Sequence, residues 1–314
     1  MTHPSRQGIT VRAAAKINLH LGVGAPREDG FHPLDTVYQA VSLYDDLTAY
    51  AADDWSLSTT VADHLGAVEL PGPGDNVVDQ VAALLCATGC ADGCTPRAHV
   101  EVSKTIPVAG GMAGGSADAA AALVALDRLW DLQTPDEQLL ALAAQLGSDI
   151  PFSLVGGTAR GLGRGEVVTP IDDTGNWSWV VVPDAGGLST PAVYRHYDVL
   201  FPDASPEPAS AQPLLTALTS GDPFALAAAL HNDLEAAAVD LRPDLGELLA
   251  RGEMEGALRG LVSGSGPTCV FLCDSAEAAR DVASSLSSVR PVVLTAHGPV
   301  SGAHVVDTSP FPEN

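Results

Sequence analysis

Residues 106–126 read IPVAGGMAGGSADAAAALVAL, with four glycines among the six positions 110–115 and an alanine-rich run directly after them. Glycine is the poorest ordinary helix former and alanine the best. The chain must therefore pass from an unrestrained loop into a strong helix within a few residues. The helix is expected from about 116 to 132. Ser116 is the expected N-cap, its hydroxyl accepting from the backbone N–H of Asp118 or Ala119. A helix start presents unpaired N–H donors and about half a positive charge. Glycines before it let backbone amides approach a ligand with no Cβ in the way. The stretch is a candidate phosphate cradle. It is not a Walker loop, because Ser116-Ala117 follows Gly115 where Lys-Ser/Thr is needed, and its glycine spacing is not the Gly-x-Gly-x-x-Gly of dinucleotide binding. Taken alone, the loop leaves open whether it binds phosphate or only packs a helix tightly.

Charge sharpens that question. The chain has 39 acidic residues against 15 Lys plus Arg, a formal net charge of −24. Such a balance argues against nucleic acid or an anionic membrane as partner. An anionic ligand would have to be held by local donors rather than by the overall field, and neutral backbone amides are donors of that kind. No uncharged apolar run approaches the ~18 residues of a membrane span. The N-terminal MTHPSRQGIT carries no apolar signal region. The expectation is a cytoplasmic protein, with 46% hydrophobic residues to build its core. The five cysteines (Cys86, Cys90, Cys94, Cys269 and Cys273) are odd in number in a chain of 314 residues, so they are read as thiols rather than a disulfide framework or a metal site.

Along the chain, 11–23 and 36–50 have strand-like patterns, 76–88 helical spacing and 97–106 strand alternation. A second helix over 135–146 ends at Gly147. Residues 177–184, WSWVVVPD, read as a buried strand, 203–213 as an exposed loop, and 222–238 and 243–251 as helices. LVSGSGPTCVFLCD, 261–274, sets a Gly/Ser turn before an apolar strand; a helix over 277–286 and a strand over 291–296 follow. The whole reads as α+β with a boundary near 165, dividing 1–165 from 166–314.

PVAGGMAGGSADAA resembles the phosphate-binding motif of the GHMP kinase superfamily, and LVSGSGPTCVF its third, C-terminal glycine motif. AAAKINLHLGVGAPREDGFHPLDTVYQAVSLYDDL and LGSDIPFSLVGGTARGLGRGE resemble one branch, the kinases of a cytidine diphosphate-linked methylerythritol. The resemblance runs from about 10 to 275. Met112-Ala113 stands where many members have Leu-Gly, and Phe31 where Tyr is usual. The resemblance implies a two-domain fold: an N-terminal domain like ribosomal protein S5 domain 2, with a left-handed crossover, and a ferredoxin-like C-terminal domain. It also implies a site in the cleft between them and transfer of the ATP γ-phosphoryl to an alcohol of the isoprenoid pathway that does not use mevalonate.

The same resemblance implies the residues. Asp149 would be the base at the acceptor hydroxyl, with Lys16 beside it to offset developing charge. Pro107, Val108, Ala109, Gly110, Gly111, Met112, Ala113, Gly114, Gly115 and Ser116 would hold ATP, with Asn76 toward the adenosine and Ser116 a candidate ligand for Mg²⁺. Asn18, Phe31, His32, Thr190 and Tyr194 would bind the acceptor, Phe31 and Tyr194 by stacking. Gly264, Ser265 and Gly266 would close the cleft. Asp118, in the first turn of the helix, reads as structural. Two other readings remain at this point: a kinase of another small alcohol such as homoserine, and a catalytically silent ligand sensor. Retention of both Lys16 and Asp149 argues against the second. The expected assembly is a monomer or homodimer.

Overall fold

The computed structural model describes residues 8–66, 70–72, 74–89, 95–107, 110–184 and 186–306. In chain order the elements are β1 (Ile9–Val23), β2 (Leu34–Tyr50), β3 (Ser56–Val61), α1 (Val77–Gly89), β4 (His99–Lys104), α2 (Gly114–Leu129), α3 (Asp136–Leu146), α4 (Ile150–Val155), β5 (Thr158–Gly163) and β6 (Val167–Pro170). Then come β7 (Trp177–Val182), α5 (Thr190–Leu200), α6 (Gln212–Ser220), α7 (Pro223–Ala229), β8 (His231–Asn232), α8 (Glu235–Leu241), α9 (Pro243–Met254), β9 (Arg259–Val262), β10 (Cys269–Cys273), α10 (Ala276–Leu286), β11 (Leu294–Gly298) and β12 (His304–Val305). No helix among the described residues is long and apolar enough to cross a membrane.

Two sheets organise the chain. In the first, β12, β1, β2, β4 and β3 lie side by side, with β5 and β6 continuing from β2 and β8 added to β1. β3 and β4 run parallel, so α1 is a crossover between them. The second sheet has the order β11-β7-β10-β9, the strand-helix-strand-strand-helix-strand arrangement of a ferredoxin-like domain. Helix α2 is the centre of the first core. Its alanines at 117, 119–122 and 125 are wholly or almost wholly buried beside Leu123 and Leu126. Small side chains let a helix lie close on a sheet, which explains why this stretch is rich in alanine rather than leucine.

The division at 165/166 falls in the turn between β5 and β6, and both strands join the first sheet. β8 and β12, much later in the chain, also join it through β1.

Two local expectations are corrected. Helix α2 begins at Gly114, because Ala113 adopts a left-handed conformation (φ 57°, ψ 35°) that turns the chain into the helix two residues early. Ser116 is therefore inside the first turn, and no side chain caps the helix. The single helix expected over 222–238 is broken. Leu230 takes an extended conformation, β8 pairs with His20 and Leu21 of β1, and α8 starts only at Glu235. Residues 203–211 form the largely exposed loop expected, up to the start of α6 at Gln212, and are tied down at two points. The Ala25 N–H donates to the Ser205 carbonyl (2.7 Å), the Ala211 N–H donates to Asp35 Oδ2 (3.0 Å), and Ala211 is fully buried. Cys86, Cys269 and Cys273 are buried; Cys90 and Cys94 lie outside the described residues.

Candidate active site

Lys16 lies mid-strand in β1 between two fully buried residues, Ala15 and Ile17, and is itself 5% exposed. Its ammonium donates to Asn18 Oδ1 at 2.7 Å, stands 3.6 Å from Asp149 Oδ2, and lies 5.4 Å from the centre of the Tyr38 ring. The Asn18 amide nitrogen donates to Thr36 Oγ1 (2.9 Å), and Thr36 donates to the His20 carbonyl (2.7 Å). That chain of bonds fixes the Asn18 amide with its oxygen toward the lysine. Asp149 ends the α3–α4 turn and is 30% exposed at the side chain, so it meets both Lys16 and open space. Burial first, and then the Asp149 charge, push the Tyr38 hydroxyl well above its ordinary pKa and keep it neutral.

The glycine loop reaches this pair through the backbone: the Lys16 N–H donates to the Met112 carbonyl (3.1 Å). Its glycines do different things. A Cβ on Gly110 would lie 2.6 Å from Thr268 Oγ1, and one on Gly111 (φ 80°) 2.8 Å from the Ser263 carbonyl. These two glycines permit contact with residues 261–268. A Cβ on Gly114 would meet Ile106, whereas one on Gly115 meets nothing within 4 Å. The first hydrogen bond of α2 runs from the Ala117 N–H to the Ala113 carbonyl (2.9 Å). The N–H groups of Gly114, Gly115 and Ser116 precede it and are the donors that a helix start leaves for an anion. Ala113, where many relatives of the motif have glycine, occupies a left-handed conformation costing about 1–2 kcal/mol for a residue with a Cβ.

Residues 261–268 are pinned over Lys16. The Ser263 hydroxyl accepts the Asn18 N–H (3.3 Å), Ser265 and Thr190 share a hydroxyl bond (2.8 Å), and Asn232 donates to the Val262 and Gly264 carbonyls (2.8 Å each). Gly264 has φ 60°, and a Cβ there would be 3.2 Å from Asn18 Oδ1 and 3.7 Å from the Lys16 ammonium.

A cleft of about 640 Å³ opens beside Asp149, with Gly147 and Ser148 in its wall. It is also lined by Phe31, His32 and Tyr194. His32 is buried and tilted against Tyr194, ring centres 5.0 Å apart. Its Nδ1 lies 2.7 Å from the Gly24 carbonyl, an acceptor, so Nδ1 donates there, and its Nε2 stands 3.5 Å from Asp198 Oδ1. Phe31 is 51% exposed, and its ring carries the Arg164 guanidinium at 5.1 Å. Burial, then the Asp149 charge, also hold the Tyr194 hydroxyl neutral. A second cleft of about 650 Å³ is lined by Trp55, Pro71 and Asn76.

Both halves match one family. The GHMP kinases N terminal domain matches residues 76–157, and the GHMP kinases C terminal domain matches 214–291. The chain belongs to the GHMP kinase family. This GHMP kinase is 65% identical over 297 residues to a 4-diphosphocytidyl-2-C-methyl-D-erythritol kinase from a Nocardioides species, covering 94% of the chain and 99% of the relative. It is 50% identical to the enzyme of that name from Thermobifida fusca, covering 95% and 98%. A crystal structure of 4-(cytidine 5'-diphospho)-2C-methyl-D-erythritol kinase superposes with a TM-score of 0.74 at 30% identity, covering 92% of this chain and 98% of that one. Homoserine kinase from Cytophaga hutchinsonii shares the fold, with a TM-score of 0.69 at 18% identity over 98% of this chain and 99% of that one.

Of the residues expected from the sequence, Lys16, Asn18, Asp149 and Gly264 meet around one ammonium group, and Phe31, His32, Thr190 and Tyr194 line one cleft of this kinase. Ser265 ties that cleft to the third motif. Asn76 stands apart in the second cleft, and its side-chain oxygen already caps α1 by accepting the Val78 N–H (2.9 Å). A Cβ on Gly266 (φ 78°) would meet Val262, Leu188 and Ala238, the packing of the second domain rather than the cleft. Pro107 and Met112 are buried; Val108 and Ala109 lie outside the described residues.

Sequence reasoning missed Tyr38, Asn232 and Lys104. The Lys104 ammonium donates to Asp45 Oδ2 (2.7 Å) and Asp118 Oδ2 (2.5 Å), directly below Gly114. Its signal was present: Val100, Val102 and Lys104 share the buried face of an alternating strand. Asp118 proves to be more than a dipole-compensating residue of the first turn, because it closes this buried cluster.

Proposed function

We propose that the protein transfers the γ-phosphoryl group of ATP to the 2-hydroxyl of 4-diphosphocytidyl-2-C-methyl-D-erythritol, a step of isoprenoid precursor synthesis independent of mevalonate. The observation that carries this reading is the Lys16–Asp149 pair, 3.6 Å apart, next to a cleft whose wall holds Ser148 together with Phe31, His32 and Tyr194. The identity of 65% and 50% to kinases of that name supports this acceptor over homoserine.

In this mechanism the cytosine enters between the aromatic side chains, beside His32. The acceptor hydroxyl reaches Asp149, whose carboxylate takes the proton as the hydroxyl oxygen attacks phosphorus. Lys16 and the amides of 114–116 offset the charge on the transferring group and the departing ADP. Gly264 to Gly266 close the second domain over that exchange. Asn76 and the second cleft receive the adenosine. Among the described residues no three His, Cys, Asp or Glu side chains group into a metal site. The loop offers one hydroxyl, that of Ser116, and Mg²⁺ bound there with the triphosphate would neutralise phosphate charge. On this reading residues 1–165 bind ATP and acceptor and 166–314 supply the closing motif, in a cytoplasmic monomer or homodimer.

The test is ADP release with the cytidyl substrate, homoserine, mevalonate and galactose offered separately. Turnover is expected with the first alone, and turnover confined to another alcohol overturns the assignment. Asp149→Asn should lower kcat by about 10²- to 10⁴-fold while ATP still binds. Full activity in that variant would show that the base lies elsewhere.

A further inference from the structure

We propose that Arg164 is the residue that reads the diphosphate of the acceptor, with Arg195 as a second cation on the same cleft. The inference rests on the acceptor reading above and names a contact that it leaves unassigned. A chain of net charge −24 repels a diphosphate at long range, so binding needs a cation placed at the ligand. Arg164 and Arg195 both line the cleft.

Several cations outside the cleft lining are engaged by carboxylates. Arg160 makes a two-pronged bond to Asp35, Arg12 to Asp46, Arg242 and Arg290 share Asp184 and Asp244, and Lys104 is held by two carboxylates. The Arg164 guanidinium donates no hydrogen bond among the described residues. Its closest acid, Glu166, is 3.8 Å away, beyond hydrogen-bond reach, and that carboxylate already accepts the Arg164 backbone N–H at 2.6 Å.

The position of Arg164 fits the order of groups in the ligand. The residue sits in the β5–β6 turn between Gly163 (φ 77°) and Gly165 (φ 101°). A Cβ on Gly165 would lie 2.2 Å from the Tyr38 hydroxyl, so the turn rests on the side chain that faces Asp149. Its guanidinium meanwhile lies over the Phe31 ring, 5.1 Å from its centre, in the wall of the cleft. Arg164 thus touches the aromatic lining through Phe31 and, through its turn, the tyrosine beside the base, so its guanidinium can meet a diphosphate that joins the two. A guanidinium held over a ring face keeps N–H groups for two-pronged donation to phosphate. Phe31 lacks the hydroxyl of the usual tyrosine; the guanidinium on its face supplies donors there instead.

The experiment compares binding of cytidine 5'-diphosphate and cytidine to the full chain and to Arg164→Ala, Arg164→Lys and Arg195→Ala, with steady-state kinetics beside it. The native protein should prefer the diphosphate. Arg164→Ala should lose about tenfold of that preference while cytidine affinity changes less than about threefold. The KM for the acceptor should rise, with kcat and the KM for ATP nearly unchanged. Arg164→Lys should keep part of the preference, since it keeps charge and loses the fork, and Arg195→Ala should lose less than Arg164→Ala. An equal loss for both ligands in Arg164→Ala would make the residue a stacking platform and overturn the proposal, and so would no loss at all. If the native protein binds neither ligand, the acceptor reading itself falls.

Discussion

Lys16 and Lys104 are buried to the same degree, 5% exposed each, and are held in opposite ways. Lys104 has two carboxylates within 2.7 Å. Asp45 in turn accepts the N–H groups of Thr105 (2.6 Å) and Ile106 (2.8 Å), so this cluster also fixes the chain entering the glycine loop. Lys16 has one neutral amide oxygen at 2.7 Å and one carboxylate at 3.6 Å, and that carboxylate is partly open to the cleft. Equal burial therefore marks neither lysine as functional. The difference lies in what remains to be satisfied: nothing further at Lys104, an incoming anion at Lys16.

Substituting each lysine by methionine should separate the two roles, and this is the largest effect expected. Lys104→Met leaves the buried Asp45 carboxylate and the Asp118 carboxyl without their cation and should cost about 3–5 kcal/mol of stability, read as a marked fall in Tm. Lys16→Met leaves Asp149 partly hydrated and should keep Tm nearly unchanged while kcat drops at least about a hundredfold. If Lys104→Met retains its Tm, or Lys16→Met unfolds, the contrast between the two sites is wrong.

A smaller effect tests the same contrast within the loop. Gly111→Ala puts a Cβ 2.8 Å from the Ser263 carbonyl at φ 80° and should cost about 1–3 kcal/mol of stability. Gly115→Ala meets no atom within 4 Å, lies in the first turn of α2 and should stabilise by about 0.4–1 kcal/mol. Its effect should appear in the KM for ATP, because the methyl group enters the space before the free amides. Thermal melts with ATP kinetics distinguish the two, and a destabilised Gly115→Ala would place that glycine among the packing glycines.

The long elements of this fold were legible because their patterns are local. Strands β1 and β2, helices α1 and α3 and the apolar β7 lie within two residues of their expected ends. The glycine loop was legible as a place where backbone meets something closely. What it meets was not: Gly110 and Gly111 face Thr268 and Ser263, some 150 residues away, and no local pattern encodes that contact. The start of α2 was misplaced because Ala113 takes a conformation that alanine disfavours. The break at 230–234 was hidden because Asn232, inside a helical-looking run, is drawn to the carbonyls of Val262 and Gly264. At the site, Lys16, Asn18, His32 and Asp149 entered through the resemblance, whereas Lys104 could have been found by asking why a lysine occupies the apolar face of a strand.

The smallest expected effect lies beneath the loop, in the second carboxylate on Lys104. Asp45 is satisfied as an anion by two backbone N–H groups and the lysine. Asp118 has only the lysine, and its Oδ1 is buried without a hydrogen-bond partner. Burial foremost, with the Asp45 charge, outweighs the attraction of Lys104 and pushes the Asp118 carboxyl up to about 8. Against Lys104, burial alone would lower the pKa, yet the two carboxylates raise it, so the cation persists and the proton resides on Asp118. The folded protein then holds a proton that the unfolded chain releases near pH 4. Between about pH 4 and 8 the folded state binds more protons, so this group's contribution is complete below pH 4 and is lost as pH rises through 8. Asp118→Asn keeps a neutral group of the same shape and removes the titration. Its Tm should fall less than that of the native protein between pH 6 and 8, and the two curves should run parallel above pH 9. Taking the difference between the two proteins cancels the other titrating groups, among them His231 and Glu235. Parallel curves across the whole range would mean that Asp118 is ionised at neutral pH, and the Lys104 site would then be a cation between two anions rather than the balanced counterpart of Lys16.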